Sequence, residues 1–142
     1  MTAEQVFSIA NLIAIAGWLI LIVAGRIRWV PSLVTGIVLP LLFALLYSFP
    51  VAALWGEKTG GFGTLAQVRA LNDWLLLAGW VHYLAFDLFI GSWQVRDAQK
   101  HGIPHLLLVP GLILTFMFGP IGLLLYCIVR FVRMRTLNLE AL

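Results

Sequence analysis

The chain has 142 residues, of which 62% are hydrophobic and only 11% charged. A soluble domain of this length usually carries about 25% charged residues, so the composition excludes an ordinary water-soluble fold and names lipid as the solvent. The formal charge of +3 suits anionic head groups. It does not suit nucleic acid, because no Lys/Arg run is interleaved with exposed aromatics.

A single domain of four transmembrane helices follows from the apolar runs: an all-α integral membrane bundle. The first span is Val6 to Ala24. A secretory signal carries positive charge ahead of its apolar stretch, whereas here Glu4 precedes the run and Arg26 and Arg28 follow it, so it reads as a retained helix. The second span, Leu33 to Leu54, contains Pro40 and Pro50, which neighbouring helices in a membrane can accommodate. The connection Trp55 to Asn72 is glycine-rich, and Thr64 to Leu71 suits a short interfacial helix. Its Gly60-Gly61-Phe62-Gly63 stretch lacks the lysine and strand of a phosphate loop.

The third span is Asp73 to Gln94, followed by a short loop, Val95 to Pro104, holding Arg96, Asp97, Lys100 and His101. The fourth is His105 to Val129, with a basic tail of Arg130, Arg133 and Arg135. Trp29, Trp55, Trp74 and Trp93 fall near span ends, as an aromatic belt would. Four spans place both termini on one side. The loop side then holds Arg26, Arg28, Arg96 and Lys100, and the other side Lys58, Arg69, Arg130, Arg133 and Arg135, which leaves the orientation undecided.

The informative residues are those that lipid would reject. A carboxylate at the centre of a membrane helix costs roughly 2.5–3.5 kcal/mol on insertion scales. Asp87 therefore faces the bundle or a cavity, pairs, or takes up a proton. Trp80, Tyr83, Asp87 and Gly91 fall within one arc of an ideal helix, and Gln94 continues it. His82 lies about 140° away, on a stripe with Phe86 and Trp93, so the two polar residues address different neighbours of a central third helix. Two readings of Asp87 stand: an interhelical hydrogen-bonding group, or a functional site. On the fourth span, Gly111, Thr115, Gly119 and Gly122 form a small-residue stripe, with bends at Pro110 and Pro120. It is either a packing seam or, at Gly119-Pro120, an opening for an elongated ligand. Ala10, Ala14 and Gly17 make a similar seam on the first span, where Asn11 is the one strongly polar interior residue. The lone Cys127 sits in an apolar run and reads as a small buried hydrophobe. Glu-x-x-His pairs and Cys-x-x-Cys motifs are absent, so neither a metal nor another cofactor is expected.

The run Trp80-Val81-His82-Tyr83-Leu84-Ala85-Phe86-Asp87-Leu88-Phe89-Ile90-Gly91, followed by Gly119-Pro120-Ile121-Gly122-Leu123-Leu124-Leu125-Tyr126, resembles the abscisic-acid-deficient-four family. Plant members are associated with neoxanthin formation in plastids. The resemblance implies a membrane protein that binds or isomerises a carotenoid or related isoprenoid lipid. In the plant step an epoxide end group becomes an allenic alcohol, which needs an acid, a base and no redox cofactor. It makes His82 and Asp87 the candidate acid and base and Tyr83 a hydrogen-bond donor. Trp80, Phe86, Trp93, Thr115 and Gly119 are then candidate substrate-binding residues. The first span starts without a Ser/Arg-rich transit peptide, so a bacterial inner-membrane location is expected. Expected partners are membrane lipids and the isoprenoid ligand, with a homo-oligomer or a partner membrane enzyme as further options. Two other functions fit the same residues: a non-enzymatic scaffold for a membrane enzyme, and a small proton-linked carrier that works as an oligomer.

Overall fold

A computed structural model describes residues 1–54, 66 and 71–135. The described chain is all-helical, with five helices: α1 (Ala3–Ala24), α2 (Val30–Leu54), α3 (Asp73–Lys100), α4 (His105–Phe118) and α5 (Pro120–Met134). Among the described residues three helices, α1, α2 and α3, are long and apolar enough to cross a membrane. The expected interfacial helix at 64–71 lies outside the described residues, apart from Ala66 and Leu71.

α1 begins on a capping box: Thr2 Oγ1 accepts from the Gln5 backbone N–H, and the Gln5 side chain accepts from the Thr2 N–H. Its Ala10/Ala14/Gly17 stripe is buried with Trp18 and Leu21. A β-carbon at Gly17 would stand 2.7 Å from Leu39 Cδ1, so the small side chain sets how closely α2 approaches. α2 starts three residues earlier than expected, and its first nine residues, Val30–Val38, are wound as a π-helix. Pro40, just beyond it, has no N–H to offer the Gly36 carbonyl. At its end the Leu39 N–H donates to the Val34 carbonyl, five residues back.

α3 is the central helix and packs against all the others. Asn72 caps it by accepting from the Leu75 N–H at 3.0 Å. It runs to Lys100, six residues past the expected end at Gln94. Arg96, Asp97 and Lys100 are therefore helical, and the loop is only His101 to Pro104. α1 runs parallel to α3. Trp80 Nε1 donates to Asn11 Oδ1 near one end, and Gln99 Nε2 donates to the Gly25 carbonyl at the other.

The expected continuous span from His105 to Val129 is two helices. At Gly119 the backbone takes φ 48° and ψ −95°, which ends α4 and starts α5. Glycine adopts a positive φ without the steric cost of a β-carbon. The chain then doubles back, so a β-carbon on Gly122 would overlap the Thr115 backbone nitrogen. α4 runs antiparallel to α3, with Thr115 beside Gln94 and Gly119 beside Asp87. α5 returns alongside α3, bringing Tyr126 and Arg130 to Asp97. The hairpin tip is thus level with the middle of α3. At about 1.5 Å per residue, Asp87 is about 21 Å along α3 from Asp73.

This hairpin changes the charge distribution. Arg130, Arg133 and Arg135 join Arg26, Arg28, Arg96 and Lys100 at one end of the bundle. Those seven are drawn from nine Lys and Arg in all. The remaining two, Lys58 and Arg69, fall in the sequence joining α2 to α3. At the opposite end the described residues carry Glu4 and Asp73.

Candidate functional site

Asp87 lies at the centre of α3 and is 7% exposed. Its surroundings explain how a carboxyl is held at this depth. Tyr83, one turn earlier, brings its hydroxyl within hydrogen-bonding reach of the carboxyl. Gly119 closes over the other side: a β-carbon there would stand 3.0 Å from Oδ1 and 3.3 Å from Oδ2. The turn therefore needs glycine twice, for its φ and for its clearance over Asp87. Asp87 Oδ2 is buried and has no hydrogen-bond partner. An unsatisfied polar atom in an apolar interior costs about 1–3 kcal/mol, so it calls for an explanation.

Trp80 extends the same stripe. Its ring lies 5.5 Å from those of Tyr83 and Phe7, forming an aromatic wall from α1 to Asp87. The ring is 41% exposed despite its bond to Asn11.

The structure does not bring His82 to Asp87. His82 is exposed on the α2 side of α3, stacked on Phe86 at 4.6 Å and 5.5 Å from the Tyr47 ring. Phe86 is itself 56% exposed. The angular split read from the sequence holds, but the His82 face meets Tyr47 and open surroundings rather than a buried pocket. Trp93 packs edge-on against Tyr126. Thr115 is fully buried and exchanges hydrogen bonds with Gln94: Nε2 donates to Oγ1 at 3.1 Å, and Oγ1 lies 3.2 Å from Oε1. Thr115 therefore locks α4 to α3. Gly111, Thr115 and Gly122 are used within the hairpin, where the Gly111 side faces the Gly122 carbonyl. Of the eight sequence candidates, Asp87, Tyr83, Trp80 and Gly119 come together as one cluster.

A second polar cluster was not apparent from the sequence. Asp97 is buried and accepts from the Tyr126 hydroxyl and from Arg130 Nε at 2.8 Å, both at Oδ2. Its Oδ1 is 3.4 Å from an Arg130 terminal nitrogen and 3.3 Å from His101 Nδ1. Arg130, read from the sequence as the start of a basic tail, is 1% exposed. Its i,i+4 relation to Tyr126 puts both on one face of α5, which is the signal the sequence offered. The cluster ties the returning end of the hairpin to α3.

A family model described as ABA4-like (ABA DEFICIENT 4-like) matches residues 5–126. The chain belongs to the ABA4-like family. The match spans α1 through the first half of α5, so it includes Asp87, Tyr83, the Gly119 turn and Tyr126. No curated protein and no solved structure matches the chain. Family membership and the three long apolar helices make it an integral membrane protein.

Proposed function

We propose that this ABA4-like protein binds an oxygen-bearing carotenoid or related isoprenoid and isomerises it by proton transfer at Asp87. The observation that carries this reading is the buried, unpartnered Oδ2 of Asp87 beneath the Gly119 turn. A ligand oxygen placed there would supply the missing hydrogen bond. The chemistry balances without a redox partner. A protonated carboxyl gives its proton to an epoxide oxygen, and the ring C–O bond breaks. A proton then leaves the polyene carbon chain for the carboxyl, and the C–H electron pair becomes a new double bond. The carboxyl ends as it began, and Tyr83 steadies it through the charged stage. Asp87 thus serves as both acid and base, while His82, on the far face, is left out of the chemistry.

The experiment is conversion of an epoxy carotenoid by the purified protein in nanodiscs, followed by chromatography and mass spectrometry. The expected product has the substrate's mass and a shifted absorption spectrum, and Asp87→Asn abolishes it. An unchanged substrate, together with an unchanged carotenoid profile in cells lacking the gene, would overturn the proposal.

A further inference from the structure

The hairpin covers only half of α3. From Asp87 towards Lys100, α4 and α5 lie over the face that carries Gln94 and Asp97. From Asp87 back towards Asp73, the same face continues through Tyr83, Trp80 and Leu76, because these positions fall within one arc. No described element covers that half. A fourth span crossing the full length would lie there; instead there is a slot along the α1/α3 seam. It has a volume of about 450 Å³ and is lined by Phe7, Leu76, Leu77 and Trp80, with Glu4 and Asp73 at its outer rim. The Tyr83–Asp87 pair follows Trp80 on the same arc of α3, beneath Gly119.

We infer that this half-length slot is the binding site for the body of an elongated isoprenoid, with the ligand's oxygen at Asp87 and its chain running outward over Trp80 and Phe7. The inference rests on the proposed function and adds to it a place, a direction and a length. Two features select this occupant. The aromatic wall formed by Phe7, Trp80 and Tyr83 suits a flat polyene, since aromatic side chains offer a large contact area at little entropy cost. Further along the same arc Asp87, nine-tenths buried, has a carboxyl oxygen without a partner, which a hydrocarbon lipid tail cannot satisfy. The distance from Asp87 to the Asp73 rim is about 21 Å. The slot therefore takes a polyisoprenoid half-chain of about that length and leaves any longer part outside.

The test uses the full chain in lipid nanodiscs and a tetraprenol alcohol with a diazirine at the end remote from its hydroxyl. Irradiation and peptide mass spectrometry should place adducts at Phe7, Leu76 or Trp80, with competition by unlabelled epoxy carotenoid. Leu76→Trp, at an exposed position outside the Asp87 cluster, should lower these adducts about tenfold. Leu45→Trp, exposed on α2, should leave them unchanged. Adducts spread over outward positions such as Leu45 and Leu124 would overturn the inference. So would a disulfide between two copies formed through Leu76→Cys in a Cys127→Ala background, since a second chain would then occupy the slot. Conversion measured on the same samples separates the two claims. Slot adducts without isomerisation would support the site and sink the chemistry; isomerisation without slot adducts would do the reverse.

Discussion

Gly119 and Asp87 are fitted to one another across the hairpin tip: a β-carbon on Gly119 would stand 3.0 Å from Asp87 Oδ1, at a backbone φ of 48°. The turn that reverses the chain and the roof of the carboxyl site are therefore the same residue. Gly119→Ala should cost about 1–2 kcal/mol from the positive φ alone. The added methyl also presses on the carboxyl. A lowered melting temperature in detergent, together with loss of conversion in nanodiscs, is the expected pair of results. Full stability in the alanine variant would show that the turn tolerates a side chain above Asp87.

Asp87 is a stability cost where it stands. Replacing it with Leu removes an unsatisfied buried oxygen and substitutes a stronger helix former. Asp87→Leu should stabilise the protein by about 1–3 kcal/mol, measured by thermal unfolding, while abolishing isoprenoid conversion. A purely structural carboxyl would give the opposite sign, because its loss would then break a needed bond.

The Asp97–Arg130 pair should behave differently. Arg130→Met and Asp97→Leu each break this buried ion pair from one side, so each should destabilise by about 3–5 kcal/mol. The double variant should cost markedly less than the sum, since it removes both charges of the pair together. A double-variant cycle by chemical unfolding measures the coupling, and simple additivity would mean that the two side chains stabilise the fold independently. Tyr126→Phe, which removes one hydrogen bond to a charged acceptor, should cost about 1.5–3 kcal/mol.

The three long spans were legible because length and apolar character are properties of a single segment. The Asp87 stripe was legible for a similar reason: Trp80, Tyr83 and Asp87 share a helix, so the 100° repeat fixes their common face. The hairpin was not legible. His105 to Val129 is apolar throughout whether it crosses once or turns back, and hydropathy is blind to the difference. Gly119-Pro120 reads as a bend, and only the positive φ at Gly119 and the contact of Gly122 with Thr115 turn it into a reversal. The Asp97 cluster was hidden by its neighbours. Arg96, Asp97, Lys100 and His101 resemble a solvated loop, and the partners that bury Asp97 arrive from α5 only because the chain has reversed.

That reversal also decides a question the four-span reading left open. With α4 and α5 returning to the end they started from, Arg130, Arg133 and Arg135 add to Arg26, Arg28, Arg96 and Lys100, and the charge balance becomes one-sided. Clustered Lys and Arg mark the cytoplasmic side of a membrane protein. The α1–α2 turn and Arg135 should therefore face the cytoplasm, and Thr2 the opposite side. Single cysteines in a Cys127→Ala background, Thr2→Cys and Arg135→Cys, distinguish the arrangements with a membrane-impermeant maleimide. In intact cells Thr2→Cys should label and Arg135→Cys should not, and in inverted vesicles the pattern should exchange. Labelling of both positions from the same side would mean an even number of crossings and would refute the returning hairpin.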